Sequence, residues 1–394
     1  MIMKCSNATA RKFILSKQLL FSPRRIAGLN GIEVVFNSLR AIQYDPQSPC
    51  GGTVDLSLQA RVSGIRPLDY YRWLYEQRKG VEAYDKELTV VPIEDLPLCR
   101  GVFPGARRRK LEEFLRVNAK ELKDLLRQIE KNGQICSSDI SESKKVDIFW
   151  EPTRWSKVAL DSLWKTGKLV IARRQNGRKY YDLPRRVYGD DFVWRSRICE
   201  KKLQDECVVR RLKSVGMLPI SGTGSGWQGI GSGSEIKAVL LKLIKQGRLI
   251  EVETDGIKNH YVVNSSDSEM LLSIEKEETD EKVSFLSPLD NLLWDRKMVK
   301  DIFGFDYVWE TYTPVNQRRF GHYVLPILYG SEFIGRIEPR HDKKENRLDI
   351  RGLWVEHGFT WKKDVRRSFW RYLGEFQDYL GSRDVKWLCK APPK

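Results

Sequence analysis

The chain has little of what holds metals, disulfides or membranes. Its 394 residues include seven cysteines, Cys5, Cys50, Cys99, Cys136, Cys199, Cys207 and Cys389, with no Cys-x-x-Cys pair among them. Their odd number and wide spacing exclude a disulfide frame and a zinc or iron-sulfur site, and predict reduced thiols in a cytosolic protein. The four histidines, His260, His322, His341 and His357, have no ligand spacing either, so no metal or other cofactor is expected. No cluster of carboxylates has the spacing of a two-metal nuclease. No apolar run approaches the ~18 residues of a membrane span, and residues 1–25 lack the apolar centre of a signal peptide. Contact with a membrane is therefore not expected.

What is abundant is positive charge. Lys and Arg outnumber Asp and Glu by 69 to 52, a net charge of +17, and the excess is spread along the chain. A polyanion is the natural partner, because neutralising phosphates releases condensed counterions. With 41% hydrophobic residues, including 12 Trp, 15 Tyr and 15 Phe, the chain can bury sizeable cores. Its length predicts two to four domains of roughly 100 to 200 residues.

Internal repetition divides the chain. At a constant offset of 80, Leu160, Leu163, Lys165, Gly167, Leu169 and Tyr181 correspond to Leu240, Leu243, Lys245, Gly247, Leu249 and Tyr261. Each block reads as a helix ended by a left-handed glycine, a short apolar strand, a turn (Asn176-Gly177, Asp255-Gly256) and a return strand. Preceded by helical stretches at 119–129 and 205–215, both are expected to be winged helices. A looser copy opens the chain, with helices at 8–20 and 32–39 and Ile42 in the role of Leu169 and Leu249. The expected class is α+β: three tandem winged-helix units followed by a mainly β C-terminal domain closed by a helix. The expected divisions are 1–116 (first unit, with an insertion carrying a helix at 68–78 and an apolar run at 88–92), 117–195, 196–265, an acidic linker at 266–282, and 283–394. In the last, strands are predicted at 305–312, 323–329, 333–338 and 348–351, and a helix at 362–380. The Gly-rich stretch 221–234 lacks the Gly-Lys-Ser/Thr of a phosphate loop. It reads as a flexible loop or a DNA-contacting one with Trp227 at its tip.

One local pattern departs from the repeat. In Ile42-Gln43-Tyr44-Asp45-Pro46, a strand beginning at Ile42 turns Gln43 and Asp45 to one face, where a structural copy would have apolar residues. Pro46 biases Asp45 toward an extended backbone. An amide and a carboxylate side by side in a basic protein make Gln43 and Asp45 the candidate catalytic pair.

Together with Gln43-x-Asp45, several segments resemble a known family: residues 78–92, Phe285-Leu-Ser-Pro-Leu-Asp-Asn-Leu-Leu-Trp-Asp-Arg-Lys297, Phe303-Gly-Phe-Asp-Tyr307, Tyr312-Thr-Pro314 and the block from Arg318 to Gly330. The family is that of the bacterial winged-helix DNA glycosylases that unhook interstrand crosslinks, of the AlkZ and YcaQ type. The resemblance implies a monofunctional, metal-independent hydrolase that cleaves the glycosidic bond of N7-alkylated purines, as monoadducts or crosslinks, with a catalytic Gln-x-Gln or, as here, Gln-x-Asp. Two family features are missing. An Arg that usually follows the pair is replaced by Cys50-Gly-Gly52, and Tyr84-Asp-Lys86 stands where Trp-x-His is common.

On this resemblance, Asp45 serves as general base and stabiliser of the oxocarbenium-like sugar, and Gln43 positions water. The expected partner is double-stranded DNA carrying alkylated or crosslinked bases, bound by a monomer in the nucleoid-associated cytoplasm. Candidate phosphate contacts are Arg11, Lys12, Arg24, Arg25, Lys86, Arg173, Arg174, Arg178, Lys179, Arg318 and Arg319. Asp290, Asn291, Trp294, Asp295 and Arg296 are expected to be structural. The alternative is a non-enzymatic winged-helix DNA-binding protein or transcription regulator.

Overall fold

The computed structural model describes residues 2–99, 105–142, 144–146, 152–190, 192 and 200–393. The chain forms two compact units, one of Met1–Tyr70 with Gln204–Lys394 and one of Tyr71–Leu203.

Both repeat blocks adopt the expected order of elements. In the Tyr71–Leu203 unit, helix Trp155–Lys165 leads into the antiparallel hairpin of Val170–Gln175 and Arg178–Asp182. In the other, helix Gly233–Lys245 leads into Leu249–Thr254 and Tyr261–Asn264. Gly167 and Gly247, at φ 78° and 72°, take the left-handed conformation that a side chain would resist at each helix end. Ahead of Trp155–Lys165, helix Ala119–Asn132 buries Leu122, Leu125 and Ile129, one stripe at helical spacing. The same unit holds the hairpin Gly80–Tyr84 with Leu88–Pro92. The helix expected at 68–78 is a single π-helical turn, Arg72–Glu76.

The larger unit contains a four-stranded and a five-stranded sheet. In one, the N-terminal strand Ile2–Cys5 runs parallel to Leu249–Thr254, pairing Ile2 with Glu251 through Cys5 with Thr254. The start of the chain thus completes the sheet of the third repeat. The other sheet orders Val283–Phe285, Leu325–Tyr329, Glu332–Asp342, Arg347–Val355 and Asp384–Trp387, the last strand parallel to its neighbour. Helix Lys363–Leu380 closes it, burying Val365, Phe369, Leu373 and Phe376, with the rings of Phe369 and Phe376 5.7 and 5.6 Å from that of Phe285.

Three expectations need correction. Residues 305–312 alternate buried Phe305 and Tyr307 with exposed Asp306 and Val308, as a strand would, yet among the described residues they join no sheet. The Asp306 carbonyl is taken by the Arg336 guanidinium instead of a neighbouring strand. The segment expected to be an acidic linker is helical over Ser268–Ser273, held by the buried side chains of Leu271 and Ile274. In the Gly-rich stretch, Trp227 is no exposed tip: it is 1% exposed, and its indole N–H donates to the Pro219 carbonyl at 2.9 Å. Arg211 donates to the carbonyls of Gly226 and Gln228, and the Asp295 carboxylate accepts the Gly226 N–H. Trp227 is therefore a core residue, unavailable to DNA.

Candidate active site

Helix Gly28–Leu39 sets the start of the site. It buries Ile32, Val35, Phe36 and Leu39 and stops at Arg40, whose left-handed backbone (φ 60°) turns the chain. The Arg40 N–H closes the helix on the Phe36 carbonyl at 2.8 Å. Asn291, in the 285–297 segment, donates its side-chain N–H to the Ala41 carbonyl at 2.7 Å and so fixes the chain two residues before Gln43. Its neighbour Asp290 accepts two hydrogen bonds from Arg61, at 2.8 and 2.9 Å, in a pair with no exposed side-chain surface. The expected structural role of this segment is what these contacts describe.

The strand at Ile42 is only two residues long, Ile42–Gln43, so strand alternation does not carry Asp45. A threonine does. The Thr53 hydroxyl accepts the Asp45 N–H at 2.9 Å and donates to the Gln43 carbonyl at 2.8 Å. One buried side chain thereby holds the backbone on both sides of Tyr44. The Gln47 N–H then donates to Asp45 Oδ1 at 2.8 Å, an Asx turn that fixes the carboxylate plane. The signal for Thr53 lay in the sequence only as the first residue of a short helix, Thr53–Gln59, and nothing in its spacing marked it.

The two candidate side chains differ in environment. Gln43 is 8% exposed, and its Oε1 is buried with no hydrogen-bond partner. A buried amide oxygen left unpaired costs about 1–3 kcal/mol. Asp45 is half-buried. Burial pushes its carboxyl above the usual carboxylate range, partly offset by the Gln47 N–H. The carboxylate therefore has raised basicity and lies open to solvent on one side.

The loop after Asp45 is anchored to the C-terminal sheet of the same unit. Thr311 Oγ1 donates to Gln47 Oε1 at 2.8 Å and lies 3.0 Å from His322 Nε2. Because the Thr311 proton is committed to Gln47, the His322 contact requires an Nε2–H donor, which sets the tautomer. The Tyr323 hydroxyl reaches the Gln47 carbonyl at 3.4 Å, and the His341 N–H reaches the Pro49 carbonyl at 2.7 Å. Next to Thr311, Tyr312 is 80% exposed. Cys50 is fully buried, and burial drives its thiol far above the ordinary range, so it is inert. On the other side of the loop, Asp55 accepts the N–H groups of Gly52 and Leu68 while burial raises its carboxyl to about 6. Among the described residues, no group of three or more His, Cys, Asp or Glu is placed to hold a metal.

The candidate phosphate contacts separate sharply. Arg174 is committed to Glu82 through both carboxylate oxygens, at 2.8 and 2.6 Å, with 4% and 1% of the two side chains exposed. Arg11 donates to the Ile302 carbonyl, Lys12 to those of Glu275 and Glu277, and Arg24 to that of Gln59. Lys179 pairs with Asp161 at 2.9 Å, and Arg318 donates to the Thr313 carbonyl. Lys86 is half-buried. Arg173 lies over Tyr180, 3.6 Å from the ring centroid. Arg178 at the hairpin turn and Arg319 beside Phe320 present their charge to solvent, and Arg25, 70% exposed, pairs with Asp280 at 3.4 Å. Charge counting could not foresee which arginine would meet a buried carboxylate.

A family model described as DNA glycosylase AlkZ-like matches residues 36–377, a span that includes Gln43 and Asp45. The structure of the Streptomyces sahachiroi DNA glycosylase AlkZ matches the chain with a TM-score of 0.63 at 12% sequence identity, covering 98% of this chain and 100% of that one. At that identity the likeness is one of fold.

Proposed function

The chain belongs to the AlkZ-like DNA glycosylase family, and on that premise we propose that Gln43 and Asp45 hydrolyse the N-glycosidic bond of N7-alkylated purines, interstrand crosslinks included. The observation that carries this reading is the unpartnered, buried Oε1 of Gln43 two residues from a carboxylate whose plane is fixed by the Gln47 N–H and whose backbone is held by Thr53.

Alkylation at N7 leaves the purine cationic. The C1′–N9 bond breaks with both electrons going to N9, so the base departs neutral without a general acid or a Lewis acid. What remains is an oxocarbenium-like sugar and the need for water at C1′. Ionised Asp45 stabilises the developing positive charge and takes a proton from the attacking water, and Gln43 Oε1 accepts that water's other hydrogen. The raised carboxyl of Asp45 suits a base. A half-buried carboxylate beside an exposed tyrosine also suits a substrate that cannot be swung into a closed pocket, as when the base is tethered to the opposite strand. The two helix-plus-hairpin blocks, with the N-terminal helices ahead of Gln43, act in this reading as winged-helix units on duplex DNA.

The test is incubation of the protein, in EDTA, with a duplex carrying N7-methylguanine and with a nitrogen-mustard crosslinked duplex, followed by alkali and a denaturing gel. Alkali-dependent breaks are expected on both. Removing the general base by Asp45→Asn lowers the rate on the order of 10²-fold or more with binding retained. Tight binding with both duplexes left intact would instead support a non-enzymatic DNA-binding protein.

A further inference from the structure

The loop that anchors Gln47 also displays an aromatic ring that the reaction as described does not use. Tyr312 follows Thr311, whose hydroxyl is bonded to the Gln47 side chain two residues from Asp45, so the ring stands at the rim of the site. It is 80% exposed, with Val308 four residues before it and Val315 three after it at 66% and 77%. Three exposed apolar side chains on one short stretch are a costly display. The loop is also braced by its own hydrogen bonds. The Glu310 carboxylate accepts the N–H groups of Arg319, Phe320 and Gly321, and Arg318 donates back to the Thr313 carbonyl. Trp309 supports the Tyr312 ring edge-on, with centroids 5.9 Å apart. The phenol is therefore held out, not merely loose.

Two features around that ring have the same electrostatic sign. The face of a phenol is negative, and the Asp45 carboxylate is close enough to add, after local desolvation, to the upward push on the Tyr312 hydroxyl. A planar cation is the ligand that gains from both. An N7-alkylated purine is such a cation, whereas an undamaged purine is the same shape without the charge.

We propose that Tyr312 is a specificity-determining residue, its exposed ring stacking on the cationic nucleobase of the lesion and selecting charged over neutral purines beside Asp45. This rests on the glycosylase reading given above, since that reading supplies the cationic base. The ring does its work by its face, so the hydroxyl is dispensable.

The experiment uses the full chain and two duplexes that differ only in charge at one base: 2′-fluoro-N7-methylguanosine, whose fluorine resists ionisation of the sugar, and 2′-fluoroguanosine. Binding is followed by fluorescence anisotropy for wild type, Tyr312→Leu and Tyr312→Phe. Wild type and Tyr312→Phe are expected to prefer the cationic duplex. Tyr312→Leu is expected to lose on the order of ten-fold in that preference, the scale of one partly desolvated cation–π contact, with affinity for the neutral duplex unchanged. Equal weakening on both duplexes would make the ring a general wedge and overturn the proposal, as would a wild type without preference or a Tyr312→Leu variant that keeps it. Release of N7-methylguanine from an ordinary duplex is measured in parallel with wild type. Release without preference in binding sinks the stacking role alone, and preference without release sinks the catalytic reading alone.

Discussion

At the scale of residues, the site is a contrast between two carboxyls and an amide. Gln43 has an acceptor with nothing to accept, and Asp45 has one oxygen fixed by a backbone N–H. In the proposed reaction the amide and the carboxylate hold one water by both hydrogens. Only the ionised form of Asp45 is a base, so activity is expected to rise with pH through a midpoint above the ordinary carboxylate range, because burial favours the protonated form. The pH–rate profile on N7-methylguanine checks this, and the residual rate of Asp45→Asn should lack that inflection. Asp55 gives an independent signature in stability. Its folded carboxyl, raised to about 6, binds its proton more tightly than in the unfolded chain. Its favourable contribution is thus complete below the unfolded value near 4 and is lost as pH rises through about 6. Urea denaturation should find the stability difference between wild type and Asp55→Asn shifting toward the variant by about 2 kcal/mol between pH 4.5 and 7.5.

At the scale of elements, the site is a loop clamped at both ends. Thr53 ties Gln43 to Asp45, Thr311 ties Gln47 to the turn at Glu310–Tyr312, and the His341 N–H ties Pro49 to the C-terminal sheet. Thr53→Val keeps the shape and deletes both bonds, leaving a buried carbonyl and N–H unpaired. It should cost about 1–3 kcal/mol of stability and lower kcat on N7-methylguanine by one to two orders of magnitude, with affinity for undamaged duplex unchanged. Calorimetry and single-turnover rates separate the two effects, and a kcat equal to wild type would remove Thr53 from the positioning of Asp45. The elements that were legible in the sequence are those specified locally. The repeats at 159–170 and 239–250 announced themselves because helix period, glycine cap and hairpin turn all lie within one short window. Gln43 and Asp45 stood out by breaking that pattern. What could not be read depends on distant partners: Ile2–Cys5 joining a strand at 249–254, Trp227 turning inward to Pro219, and Phe305–Tyr312 alternating like a strand with no strand to pair with.

At the scale of the whole molecule, the net charge of +17 overstates what DNA can meet. Arg174 already spends its charge on Glu82, and both side chains are buried. Arg178 presents its own to solvent, and Arg25, 70% exposed, meets Asp280 at 3.4 Å near the surface. Counterion release makes this distinction measurable, because each phosphate neutralised adds about 0.9 to the slope of log affinity against log salt. If Arg25 and Arg178 meet phosphates, Arg25→Ala and Arg178→Ala should each weaken binding of every duplex sequence alike and reduce that slope by about one. Arg174→Ala has the same formal charge change and the opposite expectation. It should leave the slope unaltered while destabilising the Tyr71–Leu203 unit by about 3–5 kcal/mol, the cost of stranding Glu82 without its partner. Anisotropy titrations from 50 to 200 mM salt, paired with thermal melts, separate the two classes. A slope that falls equally in all three variants would mean that Arg174 leaves Glu82 to reach the backbone of DNA, and that the buried pair is a resting contact instead of a structural one.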